Sequence, residues 1–289
     1  MGKISEKLLK RMSRKWQLAS EIRQAADLIQ QALVRLSRLE MVRDSRGDLI
    51  DPLHCVYTAV QNVCSIFAER VSENIEFKPY YDLVAAAERE YMPGGPPMSP
   101  LTRSYFTSWA FCDVRFGPDV ETIGSCLLDA GAKLGFEPKI MEAIRCFSES
   151  RMGVYECLQS KGARCRLREL VTEQAFDCFV GTGYQGRREE LWYARLCPPL
   201  EPAGYHLVFT TPYVLLNFSK ADWTAYLKRS LDSSALPEHS RLAHFLKYGH
   251  ALNQWNEFLF EAYANYQFDA IFLTGLPDVP SSLPHASRI

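Results

Sequence analysis

Near residue 152 the hydrophobic pattern changes period, and that change limits the fold more than any other feature of the chain. The stretches "ARCRLRELVT", "QAFDCFVGT", "ELWYARLCP" and "YHLVFTTPYVLL" are short β-type runs, separated by Gly181, Gly183, Gly186 and the pair Pro198-Pro199. Runs of this length between turn residues read as an antiparallel meander or small barrel. On either side, apolar residues recur in steps of three and four, the period of a helix. The pattern is that of an α+β protein: an amino-terminal helical hairpin or bundle, then a mixed core with a small antiparallel β-sheet or barrel. We expect a helical region over 1–92, an ordered Pro/Gly boundary loop over 93–101 and an α+β core over 102–289, with its β unit at about 162–216.

The helical readings rest on local signals. Ala19, Ile22, Ala26, Ile29, Leu33 and Leu36 form the seam of a helix that packs on another helix. Asp51 and Pro52 open the next helix, one as cap and the other in the first turn, with Leu53, Val56, Val60, Val63 and Phe67 as its stripe. A third helix runs from Pro79 to Tyr91. Thr102 or Ser104 caps a short aromatic helix, and Asp119 caps another that stops at Gly135. Pro138 begins the following helix and Ser219 caps a later one; "PEHSRLAHFLKYG" and "NQWNEFLFEAYANY" read as two more. "DAIFLTG" is a strand. In "PGGPPMSP", Pro93 to Pro100, the prolines fix φ and remove backbone donors. We read this stiff segment as an ordered junction between the helical region and the core, with one wall of a binding groove as the alternative.

Charge and cysteine usage exclude several classes. The formal net charge is −1, so no global field draws the chain to nucleic acid or membrane. No apolar run approaches the roughly 18–20 residues that span a bilayer. Nine cysteines at scattered spacings, without a C-x-x-C, read as free thiols packed as small hydrophobes in a reducing cytoplasm. No metal or other cofactor is expected.

Candidate binding residues fall in two basic segments. The first 40 residues hold nine Lys/Arg against four Asp/Glu; Lys7, Arg11 and Arg14, with Trp16 nearby, suit an acidic partner or phosphates. In the β unit, Arg164, Arg166 and Arg168 alternate, and Tyr184, Arg187, Trp192 and Tyr193 add aromatic and basic groups of the kind that stack bases. Met98 and Tyr105 belong to the aromatic neighbourhood of the Pro/Gly loop. "GTGYQGR" carries glycines at 181, 183 and 186, but strand-like sequence follows, so it reads as a turn rather than a dinucleotide loop. His250, Glu257 and Glu261 are the weak candidates for acid–base or cation chemistry. The histidines at 239, 244 and 250 are too far apart for a helical metal pair.

The motifs "PMSPLT", "SRMGVY", "LRELVT", "GYQGRREELWYARL", "VFTTPYVLL", "WNEFLFEAY" and "LTGLPDVP" resemble those of a set of uncharacterised bacterial proteins, over Met98 to His285. Segment 163–197 is similar to the β segment found beside SEC-C motifs, without their metal-binding cysteines. Neither resemblance implies an activity or a catalytic residue. The sequence therefore leads to a non-catalytic accessory or regulatory protein that acts through protein–protein interaction. A nucleic-acid-binding protein and a hydrolase stand as the alternatives.

Overall fold

A computed structural model describes residues 1–12, 16–43, 47, 49–92, 100–232, 238–249 and 254–277. Two units emerge, each discontinuous in sequence. The first comprises Met1–Glu88, Phe106–Ser150 and Cys197–Gly204; the second comprises Arg89–Tyr105, Arg151–Leu196 and Tyr205–Ile289. The α+β class is as expected.

The first unit is helical. Its elements are α1 (Lys3–Met12), α2 (Trp16–Ser37), a two-residue hairpin of β1 (Val42–Arg43) with β2 (Leu49–Ile50), and α3 (Pro52–Val71). Then come a 3-10 turn at Ile75–Phe77 and most of α4 (Lys78–Tyr91), most of α5 (Arg103–Cys112), α6 (Ile123–Leu134) and α7 (Pro138–Glu149). α2 packs chiefly on α3. All five residues of the α3 stripe are fully buried, and of the α2 seam only Leu33 stays half-buried. Asp51 caps α3 by accepting the Leu53 amide at 2.9 Å, with Pro52 in the first turn.

The cap of α6 differs from expectation. Residues 117–120 turn the chain back on itself between Phe116 and Glu121, whose backbones exchange two hydrogen bonds. The residue that enters the helix extended is therefore Thr122, which forms a capping box with Ser125. Asp119 and Glu121 instead serve α1. Asp119 accepts the Lys3 amide at 2.7 Å, and Glu121 accepts those of Ile4 and Ser5 at 2.9 and 2.8 Å. Two carboxylates thus satisfy donors at the positive end of the α1 dipole. A β-carbon on Gly2 would overlap the Glu121 carboxylate, so glycine is required there.

The second unit is built on a barrel. Its strands are β3 (Arg151–Lys161), β4 (Arg164–Glu169), β5 (Ala175–Val180), β6 (Leu191–Cys197) and β7 (His206–Val208). The hydrogen-bonded order is β3-β4-β5-β7-β6, and β6 returns to pair with β3, closing the ring. From β6 the sheet continues to β8 (Tyr213–Leu216), β10 (Ile271–Thr274) and β9 (Tyr263–Tyr266). Most pairings are antiparallel, but β5–β7 and β8–β10 are parallel. Tyr155, Cys157, Cys165, Leu167, Cys178 and Trp192 belong to the enclosed core. α8 (Lys220–Asp232), α9 (Glu238–Tyr248) and α10 (Gln254–Ala262) complete the unit. Ser219 and Asp222 cap α8 reciprocally, and Trp255 of α10 stacks on Tyr193 of β6 at 4.8 Å.

The β unit starts eleven residues earlier than its expected start at 162, because β3 opens at Arg151. "YANY" forms β9 and does not continue α10. Of the Pro/Gly segment, residues 93–99 lie outside the described residues; at its end, the Tyr213 hydroxyl donates to the Pro100 carbonyl at 2.8 Å and Leu101 is fully buried.

Replacing Glu121 by Ala should lower the unfolding free energy by roughly 2 kcal/mol, since hydrogen bonds to a charged acceptor are lost at a helix terminus. Amide exchange at Ile4 and Ser5 should accelerate selectively. Unchanged protection there would show that α1 is held by its apolar face alone.

Candidate functional site

β4 decides what the barrel shows to solvent. Its residues alternate, with Cys165, Leu167 and Glu169 buried and Arg164, Arg166 and Arg168 on the other face. Glu169 takes the third inward place on the strand, and the buried Leu170 follows just beyond its end. Register extends the outer face in both directions. Lys161 lies opposite Arg164 and Gln159 opposite Arg166 on β3, while Phe179 and Asp177 lie opposite the same arginines on β5. Tyr205, just before β7, completes the patch. The Arg164 guanidinium lies over the Tyr205 ring at 4.4 Å and over Phe179 at 5.9 Å, and the two ring centroids are 6.4 Å apart, tilted by 43°. Arg166 approaches Asp177 only to 3.9 Å, with both side chains more than half exposed.

The other charges nearby are committed to ion pairs. Arg168 donates twice to Glu156, at 2.6 and 3.2 Å, and Lys220 donates to the same oxygen at 3.0 Å; both cations also approach Glu173. Burial alone would raise the Glu156 pKa, but the hydrogen bonds from Arg168 and Lys220 outweigh it and hold the carboxyl below its ordinary value. Arg151 pairs with the buried Glu169 at 2.8 Å, and the Thr172 hydroxyl donates to Glu169 at 2.7 Å.

The other candidates are placed as follows. Lys7 and Arg11 lie on α1, whose Ile4, Leu8 and Met12 are buried; both approach Glu76 to 3.9 Å, and Arg11 donates to Asn74. The basic helix is thus partly neutralised within its own unit. Arg14, Met98 and His250 lie outside the described residues, as does the Trp16 side chain. Tyr105, Tyr184 and Trp192 cannot be surface anchors, because all three are buried. Tyr105 packs edge-on against Tyr213 at 5.7 Å. The Tyr184 ring lies tilted against Trp192 at 5.5 Å, and the Tyr184 hydroxyl and the Trp192 indole N–H both donate to Glu190 at 3.2 Å. Arg187 is exposed on the β5–β6 loop, and Glu257 and Glu261 are exposed on α10.

Reactive groups are sequestered. The described cysteines form no disulfides; burial pushes the Cys157 thiol up to about 12, while a hydrogen bond with Cys165 together with burial raises Cys178 strongly. Burial lowers the pKa of His54 and His206. Among the described residues, no group of three or more His, Cys, Asp or Glu is placed to hold a metal ion, and no helix is long and apolar enough to cross a membrane.

Lys161, Phe179 and Tyr205 were absent from the residues picked out in the sequence. The sequence picks out the arginines of β4, but strand pairing brings these three beside Arg164. No protein family, curated protein or solved structure matches the chain. A closed ring of five strands serves many unrelated functions and by itself assigns none.

The Glu156 network makes a pH prediction. A depressed carboxyl pKa contributes stability that is present above the ordinary glutamate value of 4.5 and is lost as pH falls through the folded value. Glu156→Gln should therefore destabilise the protein at neutral pH, and the gap from wild type should close as pH falls below the ordinary glutamate value. Denaturant titrations at several pH values measure this; a gap that is constant with pH would remove the ion pairs as its cause.

Proposed function

We propose that the chain is a non-catalytic accessory protein that works by binding a partner, and that the contact is made on the outer face of β3–β4–β5. The supporting observation is the division of charge across β4. Arg168 is spent on Glu156 and Glu173, whereas Arg164 and Arg166 stand exposed with Lys161 and the partly exposed Phe179 and Tyr205. A face with three cations, one acid and two aromatic rings fits a complementary acidic surface. Strands of a closed barrel hold these groups at fixed spacing, so little ordering cost remains at binding. The hydrolase alternative has less support: barrel thiols of raised pKa are poor nucleophiles, and Glu257 and Glu261 stand exposed on α10.

Comparing wild type with the double variant Arg164→Glu/Arg166→Glu tests this. Immobilised wild-type protein should retain a partner from native cell extract at low salt, and the variant, matched for folding by circular dichroism, should not. Equal retention by both proteins, or none by either, would contradict the assignment.

A further inference from the structure

We infer that the acidic partner of this face is a single-stranded nucleic acid; the inference rests on the binding role proposed above. Lys161 and Arg164 lie directly opposite one another across the Gly162–Ala163 turn. Like charges so placed destabilise a strand pair, and a phosphate between them turns that repulsion into attraction. The turn leaves room for this: Gly162 has φ 59°, with nothing within 4 Å of the position a β-carbon would take. Arg166 follows two residues along β4 on the same face, about 7 Å away, so the cations form a row for a backbone to follow.

The rings choose between kinds of polyanion. Phe179 and Tyr205 are partly exposed, their ring centroids are 6.4 Å apart, and the planar Arg164 guanidinium lies over Tyr205. A base can join this stack with the guanidinium, or take its place while the arginine turns to a phosphate. An acidic peptide would satisfy the cations but leave the ring faces unused. A duplex keeps its bases stacked on one another and cannot offer them to the rings. Asp177, 3.9 Å from Arg166, is the acid of the face and lies on the β5 side of the row of cations, which keeps the phosphates toward β3 and β4. The backbone therefore follows the Lys161–Arg164 side, and the bases lie toward Phe179 and Tyr205.

The test is fluorescence anisotropy with a labelled oligothymidylate of roughly 20 nucleotides, longer than the ~4–16 that one such barrel covers. Wild type should bind at about 50 mM salt and weaken roughly tenfold to twentyfold by about 200 mM, the response for about three phosphates neutralised on a single strand. Arg164→Ala/Arg166→Ala should lose at least about tenfold in affinity and Tyr205→Ala roughly fivefold or more, with Tyr205→Phe close to wild type. Melting curves confirm that each variant is folded. A duplex of the same length should bind more weakly than the single strand. No anisotropy change with wild type at low salt, or equal affinity in the double arginine variant, overturns the inference. If the protein instead retains an acidic protein from nuclease-treated extract through the same arginines, the nucleic-acid assignment fails and the binding role stands. If neither ligand is held, both fail.

Discussion

Pairing of β3 with β6, from Arg151 opposite Leu196 to Glu156 opposite Leu191, closes the barrel and fixes which way every side chain in it points. Strand side chains alternate with period two, so a one-residue slip would exchange inside for outside along the ring. In the observed register Tyr155, Cys157, Trp192 and Ala194 face inward with Cys165, Leu167 and Cys178. Arg164 and Arg166 then have no place but the surface. Closure also removes the β3 and β6 edges as templates for association with other chains.

Charge is used in two ways that the composition hides. A net charge of −1 describes a chain in which many ions cancel. On the amino-terminal helix, cancellation is built in: Asp119 and Glu121 hold the backbone end of α1, and Glu76 lies near Lys7 and Arg11. Around Glu156, two cations and a second carboxylate satisfy one another beside the barrel. On β4, two residues further from Glu156, the same residue type is left facing water. Proximity to acids, set by register, separates a structural arginine from one available to a ligand.

Local signals in the sequence were sufficient for most helices. Asp51, Thr102, Gly135, Pro138 and Ser219 act where cap and turn chemistry places them, because those interactions span only a few residues. Long-range effects were not legible. The first barrel strand reads poorly because Met152 to Cys157 is buried on both faces and has no alternation. It also contains Gly153, needed because the Tyr155 hydroxyl lies where a β-carbon would sit. β9 is only four residues long and exists through its pairing with β10, so "YANY" looked like more helix. Asp119 reads as the cap of the helix that follows it, whereas its partner, the Lys3 amide, lies 116 residues away in sequence. The proposed binding face has a similar origin: Lys161 meets Arg164 across a two-residue turn, but Phe179 and Tyr205 come beside them only through the pairing of β4 with β5 and of β5 with β7.

Hydrogen-exchange mass spectrometry of the full chain, with and without saturating oligothymidylate, tests the use of this face most directly. Protection should concentrate in peptides covering Gln159 to Arg166, Ala175 to Phe179 and Tyr205, with α1 and α10 unchanged. Protection centred on α1 or α10, with these barrel peptides unaffected, would contradict it.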